Sequence, residues 1–122
     1  MKRILVLIGL CVAVPASAAD GVFVGEGVYE DGRLDSCRGM QWRLTLEGPS
    51  ATAKLIPYAG SAAAIRDVYG TVAPDGHIVM SYVPGYGSSS GKVDIDLQQN
   101  GDTVTGHSQS LTCRYRITLK RS

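Results

Sequence analysis

Residues 92–104 read KVDIDLQQNGDTV, and their alternation decides the fold class. Val93, Ile95 and Leu97 stand on one side of an extended chain, and Lys92, Asp94, Asp96 and Gln98 on the other. One apolar and one polar face at a period of two marks a strand in an antiparallel sheet that meets water on one side. Asn100-Gly101 then predicts a tight hairpin, because the favoured two-residue turns need φ > 0 at their centre. Thr103-Val104 begins the returning strand.

The same grammar runs through the rest of the chain. Cys113, Tyr115, Ile117 and Leu119 alternate with Arg114, Arg116, Thr118 and Lys120, and Trp42, Leu44 and Leu46 alternate with Gln41, Arg43, Thr45 and Glu47. Strands over 22–29, 52–56, 68–72 and 77–83 complete a set of eight. Glu47-Gly48-Pro49-Ser50 and Pro74-Asp75-Gly76 separate them as turns, and 31–38 and 84–91 as longer connections. Only 61–66 suits a helical turn, and it is too short to stand alone. No stretch sustains a helical period. The expectation is an all-β domain, an eight-stranded antiparallel up-and-down barrel, with a β-sandwich as the alternative. Closure is favoured because it removes the unpaired edges of an open meander.

The ends set the compartment. Lys2-Arg3 is a positive start, residues 4–14 are apolar throughout, Pro15 breaks the run, and Ala16-Ser17-Ala18 has the small-x-small pattern of a cleavage site. Residues 1–18 therefore read as a secretory signal peptide, since the apolar run is far short of the roughly 20 residues that span a bilayer. Residues 19–122 form the single mature domain, expected in the periplasm or outside the cell. It keeps two of three cysteines, and ten basic against eleven acidic side chains, a net charge of −1. That balance argues against nucleic acid, whose binding draws on a basic excess, and against insertion into or attraction to a membrane after signal cleavage. Cys37 and Cys113 are expected to form one disulfide. In a closed barrel the last strand runs back along the first, so the bridge would staple the seam.

In this layout the chain resembles the small exported bacterial barrels of the lipocalin/calycin class. That class carries Gly-x-Trp on its first strand, with a basic residue of the last strand across the ring. The nearest match is Gly27-Val28-Tyr29, with Arg114 or Arg116 as the base. The resemblance implies a barrel. It is also similar in size and layout to periplasmic inhibitors of proteases and lysozymes, though without their motifs, and fold alone does not assign function.

Candidate chemistry is sparse. His77 and His107 are placed at strand ends, exposed to solvent. A zinc site needs three or four ligands, and no His-x-x-x-His spacing or spare thiolate supplies them, so neither metal nor cofactor is expected. Ser108 and Ser110 lie near His107 without an orienting acid or oxyanion hole. Glu26 and Glu30, like Asp94 and Asp96, read as solvating carboxylates. The expected function is a non-enzymatic exported binding module for a protein or small apolar ligand, working through barrel-end loops. Alternatives are a periplasmic inhibitor of a hydrolase, a small hydrolase using His107 or His77, and an envelope structural protein. Within 84–91, Tyr86 between glycines with Ser88, Ser89 and Ser90 is the candidate contact surface, an aromatic anchor amid adaptable hydroxyls. Tyr58, Tyr69 and Tyr82 are expected as half-buried strand residues.

Overall fold

The computed structural model describes residues 20–32, 39–57, 65–83, 92–111 and 113–122. Residues 1–18, read from the sequence as a signal peptide, and Cys37, Tyr58, Tyr86 and Ser88–Ser90 lie outside the described residues. Eight strands follow one another: β1 (Gly21–Gly32), β2 (Met40–Glu47), β3 (Ser50–Pro57), β4 (Arg66–Val72), β5 (His77–Tyr82), β6 (Val93–Asn100), β7 (Thr103–Gln109) and β8 (Cys113–Arg121). Each pairs antiparallel with its neighbour, and β8 pairs with β1, from Phe23–Arg121 to Gly32–Cys113. The sheet is thus a closed barrel in strict chain order, and the sandwich is excluded. Arg66 opens β4 rather than ending a helical turn.

Alternation sorts the residues as the pattern required. The inward set includes Phe23, Trp42, Leu44, Leu46, Val68, Ile78, Ile95, Leu97, Ile117 and Leu119, all buried. Asp94 and Asp96 face water between their buried neighbours. The hairpin between β6 and β7 is displaced by one residue from its sequence reading. Asn100 pairs with Thr103, so the loop is Gly101-Asp102. Gly101 takes φ 64°, a backbone conformation that a side chain would disfavour.

The two ends of the barrel differ. Turns 48–49, 73–76 and 101–102 sit at one end together with both termini of the barrel, while 33–39, 58–65, 83–92 and 110–112 join the strands at the other. The tight end is tied by a series of backbone hydrogen bonds. Val72 N–H donates to Pro49 O (2.9 Å), Gln99 N–H to Gly76 O (2.9 Å), Arg121 N–H to Asp102 O (2.8 Å) and Ser122 N–H to Val22 O (2.8 Å).

Arg121 closes this end from above the core. Its guanidinium lies 4.7 Å from the centroid of the Phe23 ring. Its Nε donates to Asp102 Oδ1 (2.7 Å) and its Nη1 to the Asp20 carbonyl (2.9 Å). A Cβ at position 21 would collide with the Arg121 guanidinium, so the glycine of Gly21-Val22-Phe23 is what lets Arg121 reach across. This corrects the sequence reading: the first-strand aromatic covered by a base of the last strand is Phe23 under Arg121, not Tyr29 under Arg114 or Arg116. Arg114 and Arg116, toward the other end of β1, turn outward to other partners.

Candidate functional site

A cavity of about 210 Å³ opens at the long-connection end. Its wall is built where strands begin or finish. Met40 and Trp42 come from β2, Leu55 from β3, Tyr82 from the end of β5 and Val93 from the start of β6. Ser108 and Ser110 come from the β7 side and Cys113, Tyr115 and Ile117 from β8. The inner face of β1 leaves room for the Trp42 indole because position 27 is glycine. A Cβ there would stand 2.8 Å from Ile117 Cδ1 and 3.1 Å from Trp42 Nε1. Ile65, Val83 and Leu111 are exposed at this same end.

Two of the polar groups in or over this largely apolar wall are Ser108 and Arg66. Ser108 is 7% exposed, on the inward phase with Val104, and among the described residues its hydroxyl has no hydrogen-bond partner. Arg66 lies directly opposite Leu55, which is buried, so both side chains share the inner face of the sheet. Its guanidinium sits 4.9 Å from the centroid of the Tyr82 ring and makes no ion pair among the described residues. Burial pushes the Tyr82 phenol above its ordinary value, and the nearby Arg66 charge pulls the other way. A phenol is in any case an O–H donor at neutral pH.

No protein-family model, no curated protein and no solved structure matches the chain. Function has to be read from the cavity and its surroundings.

The outer wall gathers the remaining candidates. His77 opens β5, as expected, and its Nε2 meets Asp96 Oδ1 at 2.8 Å. His107 is not at a strand end but within β7, directly opposite Asp96 and Arg116. Its Nε2 stands 3.3 Å from Glu30 Oε1. A bulge in β1 between Tyr29 and Asp31 inserts Glu30 as an extra residue. Glu30 also accepts from Arg114 Nε (2.9 Å), and Arg116 Nε lies 3.9 Å from its second oxygen. Among the described residues no group of three or more His, Cys, Asp or Glu side chains is placed to hold a metal ion. Lys92 lies 3.4 Å from Asp94.

His107 and Ser108 are adjacent on one strand and therefore point to opposite sides of it, the imidazole to the outer ion pairs and the hydroxyl into the cavity. Ser110 also faces the cavity and accepts the Cys113 N–H at 3.1 Å. The structure does not bring His107 together with either serine. Tyr82 belongs to the cavity wall, whereas Tyr69 is 68% exposed on the outside, not half-buried.

Trp42 and Tyr115 were legible as inward residues but not as cavity wall, because alternation tells side from side and not filled from empty. Ser108 shares its phase with Val104 and Gly106, so a hydroxyl on an inward position was the available signal. Arg66 had none, since its neighbours read as helix-forming.

Proposed function

We propose that this chain is a non-enzymatic, exported binding module whose open-end cavity takes a small, largely apolar ligand. The observation that carries the reading is the contrast within one barrel interior: close-packed side chains at the tied end, and a space of about 210 Å³ walled by Trp42, Tyr82 and Tyr115 at the other. Native interiors seldom leave room of this size without use. An apolar cavity of ~150 Å³ already admits benzene, so a single ring with a few further atoms fits the space. The outward faces carry Arg43, Lys54, Asp96 and Arg116 in mid-strand. That is the reverse of a barrel whose outer band meets lipid, and it supports a domain that works in water after signal cleavage. The layout supports placing it with the lipocalin/calycin-like barrels.

The test uses the single tryptophan of the chain. Toluene added to the mature protein should move the Trp42 indole N–H resonance in a saturable way. Saturation without any change at Trp42, or no saturation, would count against the reading.

A disulfide between Cys37 and Cys113 belongs to the same proposal. β8 begins at Cys113, opposite Gly32 at the end of β1, and Cys37 follows five residues later. A disulfide requires Cα atoms within about 7 Å, and the register pairs Cys113 with Gly32, five residues before Cys37 in the sequence. Thiol titration of the oxidised, exported protein should find no free cysteine. Two titratable thiols would reject the bridge.

A further inference from the structure

A buried hydroxyl without a partner is expensive to keep, because its lost hydration is not replaced. Ser108 is such a group: it faces the cavity and is 7% exposed. An arginine on the inner face of a barrel is equally unusual when no carboxylate answers it. Arg66 has only the Tyr82 ring beneath it among the described residues. The two stand on β4 and β7, three strands apart around the barrel; Ser108 lines the cavity, and Arg66 lies over the ring of Tyr82, which lines it from another side. The rest of the lining is mostly apolar and aromatic, with Ser110 and Cys113 on the β7–β8 side.

Building on the small-ligand reading, we propose that the cavity recognises a compact hydroxyaryl carboxylate. The ring occupies the space beside Trp42 and Tyr115, the carboxylate meets the Arg66 guanidinium at the mouth, and a polar ring substituent satisfies Ser108. Size sets the class. The space exceeds the ~150 Å³ that holds benzene by only a few atoms' worth, so a long acyl chain does not fit, while one ring with a short acidic arm does. Charge sets the head group, because a planar guanidinium matches the two oxygens of a carboxylate. The Tyr82 phenol, in the same wall, is a second donor for that head group.

The experiment compares 3-(4-hydroxyphenyl)propanoate with its neutral isostere 3-(4-hydroxyphenyl)propan-1-ol, with toluene as the hydrocarbon control. Binding is read at the Trp42 indole N–H and by calorimetry. Wild type should prefer the acid by on the order of tenfold or more, the size of a charge-assisted hydrogen bond. Arg66→Met should erase that preference and leave the alcohol's affinity where it was. Ser108→Ala should weaken both phenols relative to 3-phenylpropanoate while the apo protein holds its stability or gains some, which separates binding from folding. Equal affinity for acid and alcohol in wild type, or a preference that survives Arg66→Met, would overturn the carboxylate assignment. Full affinity for the phenols in Ser108→Ala would overturn the role of the hydroxyl. If toluene binds and neither phenol does, the proposal fails and the cavity reading stands. If none of the probes reaches Trp42, the cavity reading fails, and this proposal with it.

Discussion

Among the described residues, Gln99 and Ser108 are the two buried polar side chains of the barrel interior, each 7% exposed, and they stand at opposite ends. Gln99, at the tied end, donates to the Gly101 carbonyl at 3.3 Å, while its neighbour Gln98 donates to the Asp75 carbonyl and Arg121 to Asp102 Oδ1. Ser108, at the open end, lines empty space without a partner among the described residues. The same fold thus spends one end on stability and keeps the other incomplete. Short turns make this division. A two-residue loop brings backbone donors and acceptors of adjacent strands within reach of each other, and at the other end Met40, Tyr82, Val93 and Cys113, at strand ends, wall the cavity.

The sharpest way to break the contrast is at Phe23, which is fully buried between Leu44 on β2 and Arg121 on β8. Phe23→Ala should cost about 3–5 kcal/mol, the range for removing a core aromatic, out of the roughly 5–15 kcal/mol that a domain holds. Urea denaturation should show the loss as a much lower midpoint. A cost below about 1 kcal/mol would mean that the tied end is not the stable one.

Arg121→Met tests the closure without emptying the core. It removes the bonds to Asp102 and Asp20 and the contact with the Phe23 ring, while its aliphatic stem is kept. Because Asp102 is largely exposed, the loss should be about 1–2 kcal/mol. The toluene response of Trp42 should not change, since Trp42 lies toward the other end. A variant that keeps its stability but loses the Trp42 response would show that the two ends are coupled.

The smallest effect concerns Tyr82. Its phenol is raised above 10.0 because burial disfavours the phenolate. A group whose folded value is raised stabilises the fold below its unfolded value and loses that contribution as pH climbs through the folded one. Wild type should therefore lose stability above about pH 10 faster than Tyr82→Phe. Denaturation midpoints of the two proteins that run parallel through that range would remove Tyr82 from the buried wall.

Much of this architecture was legible before any coordinates. The alternation in 92–98 placed Val93, Ile95 and Leu97 inside, and they are buried. Trp42, Leu44 and Leu46 read the same way and behave the same way. Turn chemistry located the 48–49 and 73–76 connections, and missed the 101–102 loop by one residue because Gly101 is the first loop residue and Asn100 still pairs with Thr103. The separation of His107 from Ser108 was also implicit in the pattern, since neighbours on a strand cannot share a face. The Glu30 cluster was not legible. A bulge depends on how two strands meet, and no property of 29–31 alone announces one.

What the sequence determined by itself is therefore the set of strands, their inward faces and the preference for antiparallel neighbours, because these follow from a local period and from turn residues. Only the tertiary structure decided that β8 pairs with β1 along Phe23–Arg121, that Arg121 caps Phe23, and that the interior is filled at one end and open at the other. Closure fixes which side chains meet across the barrel. Filled or empty is then a matter of summed volumes from many strands, and no local pattern carries that sum.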